Sequence, residues 1–88
     1  MPYIGMDKRT AIDRAVGELD LLMEDEGELN YAITRLVDMW AAFPERTYQS
    51  LNAVIGVLEC VKLELYRRVV APYEDEKKEA NGDVYNAG

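Results

Sequence analysis

The side chains best equipped for chemistry in this 88-residue chain cluster late: Lys62, Tyr66, Arg67, Arg68 and Tyr73. If the segment is helical, Lys62 and Tyr66 share a face at i,i+4, and Glu64 reaches Arg67 or Arg68. Arginine's planar fork suits bidentate phosphate contact, and a tyrosine ring can stack on a base. The group therefore reads as a pocket for an anionic small molecule. The plainer reading is a solvated helix face with local ion pairs, each contributing little. Asn30, Tyr31 and Arg35 make a similar polar-aromatic edge earlier in the chain. Tyr31 and Arg35 could supply a second wall from a neighbouring subunit.

Catalysis has little to work with. The chain holds no histidine, which removes the commonest general base and metal ligand. No Ser-His, Cys-His or Cys-x-x-Cys arrangement is present, and no Gly-rich loop with lysine to cradle phosphate. Carboxylate-bridged di-iron sites in bundles use Glu-x-x-His, which cannot occur here. Glu59 and Glu64 are five apart and leave a helix on different sides. Glu24-Asp25-Glu26 could in principle hold Mg²⁺ or Ca²⁺, although a solvated acidic loop is the plainer reading. The expectation is a protein that is not an enzyme and has no cofactor and no metal.

Charge narrows the partners. The net charge is −7. Residues 7–28 carry eight acids against three bases, and residues 72–88 carry five against two. Residues 29–71 carry four acids and five bases, the one part that is not acidic. Nucleic-acid binding needs clustered Lys and Arg to displace counterions, so this pattern argues against it, including against a helix-turn-helix reader. The longest uncharged run, Thr47 to Leu58, is too short to span a bilayer. The single cysteine, Cys60, excludes a disulfide within the chain and fits a reducing cytoplasm.

The elements that position these residues are helices. Between Thr47 and Pro72, the residues Leu51, Val54, Ile55, Leu58, Val61, Leu65 and Val69 recur at three- and four-residue steps. That spacing lays an apolar stripe along one long helix. Ala53, Gly56 and Cys60 form a strip of small residues that would admit another helix closely. Thr47 is a natural N-cap. Pro72 disfavours helical geometry at the residue before it, so the helix should end or kink there.

Upstream, Asp7–Asp25 reads as a first helix with Ile12, Val16, Leu19, Leu22 and Met23 inward. Thr10 and Asp13 resemble a capping box. The acidic run Glu24-Asp25-Glu26 opposes the helix dipole at a C-terminus, and Gly27 is a natural terminator. Glu28–Phe43 reads as a second helix closed by Pro44. Tyr73–Ala80 is a strong local helix former that ends at Asn81-Gly82. Met1–Ile4 and Asp83–Tyr85 have strand-like chemistry and could pair; residues 86–88 read as loose.

The fold class expected is all-α: a small three-helix antiparallel bundle with a long third helix and a kinked C-terminal helical extension. Residues 1–82 would form one domain and residues 83–88 a tail. A chain this short buries only about 60% of its unfolded surface, so a homo-oligomer is expected.

LNYAITRL (Leu29–Leu36), VIGVLECVKLELYRRVVAPYEDEKKEANGDVY (Val54–Tyr85) and the opening MPYI together resemble an uncharacterised family of small phage- and bacterium-encoded proteins. The first helix and residues 40–49 look individual. The resemblance carries no catalytic residue. It implies a cytoplasmic accessory role in the host, for example in counter-defence. The functional expectation is a non-catalytic binding protein that sequesters an anionic nucleotide signal or blocks a host protein. The alternative is a structural or assembly component forming a small helical homo-oligomer.

Overall fold

The computed structural model describes residues 3–85. The fold is all-α, of the helical-bundle class expected, with no strand among the described residues. Helix α1 is Met6–Leu22 and α2 is Glu26–Ala42. Helix α3 is Tyr48–Leu65; it passes through a π-helical segment, Tyr66–Val70, into α4, Ala71–Asn81. The last three run without a break, giving a third helix of 34 residues. The chain divides into two compact units, residues 1–38 and 39–88, with the boundary inside α2.

In the first unit, α1 begins one residue before the expected start and ends three residues early. Gly5 is its N-cap, with extended backbone and no side-chain bond. Thr10 is therefore not a cap. It lies inside the helix, and its hydroxyl donates to the Met6 carbonyl at 3.0 Å. The acidic run also has a different role from the one its position suggested. Asp25 Oδ1 accepts from the Glu28 N–H at 2.8 Å, and Glu28 Oε1 accepts from the Glu24 N–H at 2.6 Å. These carboxylates cap the start of α2, where the helix dipole favours negative charge. Gly27 accordingly opens the second helix and does not terminate the first. A Cβ there would lie 3.3 Å from Asp25 Oδ1, so the cap crowds that position.

In the second unit, α2 ends at Ala42 and the chain turns through a cis Phe43–Pro44 bond. Thr47 caps α3 as the sequence implies. Its hydroxyl accepts from the Ser50 N–H at 3.0 Å, and Ser50 Oγ accepts from the Thr47 N–H at 2.9 Å. This reciprocal box satisfies two amides that the first turn leaves orphaned. Ser50 does more: its hydroxyl lies 2.9 Å from the Ala41 carbonyl, to which it donates, and equally close to the Thr47 carbonyl. Ala41, 2% exposed, and Val54, 8% exposed, are the buried apolar residues among those described.

Pro72 does not end the helix. It lacks the N–H that would continue the ladder, and its ring clashes with a carbonyl one turn back in a regular α-helix. The chain meets it with the wider π-turn: the Ala71 N–H donates to the Tyr66 carbonyl, five residues back. Such insertions are a recognised source of helix bends. Helix α4 stops at Gly82, whose φ of +86° is costly for any residue with a Cβ. Asp83–Tyr85 is not a strand; Asp83 Oδ1 accepts from the Tyr85 N–H at 2.9 Å. Tyr3 and Ile4 are not a strand either; Met1 and Pro2, the other half of that expected stretch, and the tail expected to be loose lie outside the described residues.

Candidate functional site

The sequence candidates of the second unit gather on and around the π-segment. Arg67 and Arg68 lie within it and Tyr66 opens it. Lys62 sits in the last turn of α3, and Tyr73 in the first turn of α4. Tyr31 and Arg35 belong to the other unit, on the exposed part of α2.

Local partners occupy much of this group. Lys62 Nζ pairs with Glu59 Oε1 at 3.1 Å, and Arg68 Nη1 with Glu64 Oε2 at 4.0 Å. All four side chains are well exposed, so both pairs are screened and easily exchanged. Tyr66 Oη donates to Glu74 Oε1 at 2.8 Å. Tyr73 follows Pro72 in unbroken helix. Its recorded partner is Lys77, whose Nζ lies 5.5 Å from the ring centroid, a cation–π distance. Arg67 makes no ion pair or hydrogen bond to another described side chain.

One consequence reaches the electrostatics. The hydrogen bond to Glu74, then the charge of that carboxylate, then a little desolvation raise the Tyr66 phenol above its ordinary value. Ionising Tyr66 would both break the bond and place two negative charges side by side. The arrangement holds Tyr66 neutral and aimed along the helix, with its ring exposed.

Sequence reasoning named Tyr66 and missed Glu74 as its partner. In a regular α-helix, residues eight apart are about 80° out of phase at 100° per residue. The signal that could have revealed the pairing was Pro72, read as a reason for extra residues in a turn. A shallow groove at α4 is lined by residues that include Tyr73, Lys77, Gly82, Val84 and Tyr85. It mixes lysines with Glu74, Asp75 and Asp83 and carries no single sign of charge.

No group of carboxylates and cysteine among the described residues could hold a metal ion, and within Glu24-Asp25-Glu26 the Asp25 carboxylate is engaged in capping. No helix among the described residues is long and apolar enough to cross a membrane.

A family model described as a domain of unknown function, DUF6899, matches residues 1–84. The chain belongs to the DUF6899 family. The match takes in the first helix and residues 40–49 as well as the stretches that carry the resemblance. No curated protein and no solved structure matches this DUF6899 chain.

Proposed function

We propose that this DUF6899 chain is a non-catalytic binding protein of the phage accessory type, acting in a host cytoplasm. Its ligand is an anionic small molecule, of which a nucleotide signal fits the side chains best. The observation that supports this reading is Arg67: a guanidinium without a partner among the described residues, next to Tyr66 in the π-segment. π-Turns recur at functional positions. Lys62 and Arg68 add charge through exposed pairs that a phosphate can replace. Tyr66 and Tyr73 offer exposed rings for stacking. The chain's net charge of −7 opposes an approaching anion, so these local cations must supply the attraction. Tyr31 and Arg35 would enter from a neighbouring subunit.

Calorimetry and thermal shift against a panel of linear and cyclic nucleotides test the proposal. A response that Arg67→Ala weakens ten- to a hundredfold, as expected for a charged hydrogen bond of roughly 1.5–3 kcal/mol, supports it. A wild-type chain that responds to none of the panel ends it.

A second reading has its own observation. Large apolar residues stand exposed along α3, Ile55 at 64% and Leu65 at 55% among them. Runs of exposed apolar surface mark protein-binding faces. On this reading the chain blocks a host protein or assembles with copies of itself. Co-purification from host lysate, with the captured protein identified, separates those two.

A further inference from the structure

The Tyr66 contact and the groove at α4 share one residue. Glu74 Oε1 accepts from Tyr66 Oη at 2.8 Å, and the same side chain lines the groove, whose volume is about 490 Å³. Small-molecule sites commonly have volumes of this order. Gly82, with its φ of +86°, ends α4, and Val84 and Tyr85 just beyond it line the groove together with residues of the helix. Tyr85 also lies near Tyr66. After the Glu74 bond, the Glu74 charge and desolvation, the charge of Tyr85 adds to the rise of the Tyr66 phenol.

These side chains follow an order along the helix. Lys62 shares a face with Tyr66 at i,i+4, and Tyr66 reaches forward to Glu74. From its N-terminal side that face runs cation, aromatic ring, carboxylate. Arg67 stands next to Tyr66 in the π-segment. Farther on, the groove sets three carboxylates, Glu74, Asp75 and Asp83, against two lysines, one of which is drawn over the Tyr73 ring. A nucleotide has the same order, with its phosphate at one end and the pairing edge of its base at the other. The reverse orientation would press the phosphate against the carboxylates.

From this order we infer that the molecule bound is a guanine nucleotide, with its phosphate on Lys62 and Arg67 and its base in the groove, where Glu74 reads the pairing edge. The inference rests on the anion reading proposed above and names the base. An ionised carboxylate only accepts hydrogen bonds, and it has about four lone-pair sites. Tyr66 takes one of them and fixes where the carboxylate stands. Among the described residues no cation pairs with Glu74. Both oxygens are therefore open to a ligand with two donors side by side. Guanine has such a pair, its ring N–H and the neighbouring exocyclic amine. Adenine and cytosine set one amine beside a ring-nitrogen acceptor, which a carboxylate repels. Uracil sets one N–H between two carbonyls.

Calorimetry of the full chain with GMP, IMP, AMP, CMP and UMP is the test. GMP should bind about tenfold or more tighter than AMP, CMP or UMP, the discrimination expected of a bidentate base contact. IMP keeps the ring N–H and lacks the amine, so it should fall between. Glu74→Gln should level GMP, IMP and AMP, because an amide cannot accept from both donors with both of its ends. Arg67→Ala should weaken all of them alike and keep their order. Far-UV circular dichroism checks that both variants keep their helix. Nucleotides that bind without a preference for guanine overturn the inference and leave the anion reading standing. So does a Glu74→Gln variant that binds all of them more weakly in the same order, since Glu74 would then serve the structure alone. A chain that binds no nucleotide ends both readings.

Discussion

Tyr66 Oη and Glu74 Oε1 meet at 2.8 Å across eight residues of uninterrupted helix. Regular α-helical phase would leave them about 80° apart. The five-residue π-segment between them turns less per residue and brings Glu74 back onto the line of Tyr66. A main-chain adjustment to Pro72 has thus created a side-chain contact two turns long.

That contact gives a pH signature. Spectrophotometric titration should show Tyr66 ionising above the ordinary tyrosine range, because Glu74 favours the neutral phenol. Glu74→Gln should bring it back down. The folded-state value is raised, so the contribution to stability is complete below about pH 10. It fades as pH climbs through the raised value. Both groups are exposed, so added salt should shrink the difference.

Pro72→Ala tests the origin of the π-turn. Restoring the N–H and removing the ring clash should let residues 66–70 return to α-helical phase. The Tyr66–Glu74 bond would then be lost, and the Tyr66 phenol should fall back toward its ordinary value. Stability should increase, by no more than about 3 kcal/mol. An unchanged Tyr66 titration in this variant would show that the π-turn has another cause.

Ser50→Ala should cost about 1–2 kcal/mol by urea denaturation, from the lost half of the capping box and the lost bond to the Ala41 carbonyl. Thr47→Ala should cost about 1 kcal/mol, since only the box is affected. The two losses share a motif, so the double variant should fall short of their sum.

The glycines separate two environments. Gly56→Ala meets open space and should stabilise the helix by about 0.5–1 kcal/mol in thermal unfolding. Gly27→Ala must push Asp25 Oδ1 back by a few tenths of an ångström, so the same gain should be largely cancelled by a weakened cap.

The legible parts of the sequence were those set by local chemistry. Thr47 reads as a cap because a hydroxyl three residues before an amide has one good use, and the apolar spacing from Leu51 to Leu65 leaves little alternative to a helix. The acidic run failed as a guide because Glu24, Asp25 and Glu26 suit either flank of a short gap: they disfavour the end of α1 and favour the start of α2 equally well. Only the hydrogen bonds of Asp25 and Glu28 decide which helix owns them. Pro72 implies an end or a kink because its effect on regular geometry is known, whereas the option of a wider turn that carries the helix through depends on what lies on both sides. The candidate site was legible as a cluster of residue types. Its pairings were not, since the phase of Glu74 relative to Tyr66 is a property of the irregular backbone.

The hydroxyl of Ser50 also has a bearing on how the chain acquires its longest element. Starting a helix is costly because several residues must be fixed before the first bond forms, whereas extending one adds a bond for each residue fixed. Thr47, Ser50 and the carbonyl of Ala41 build that first turn from groups outside the helix proper, so its starting point is specified. Among the described residues, the far end is held by Gly82 through its main-chain bond to the Lys78 carbonyl. Hydrogen exchange along the 34 residues should accordingly be graded, with amides near Ser50 slowest and those near Asn81 fraying first.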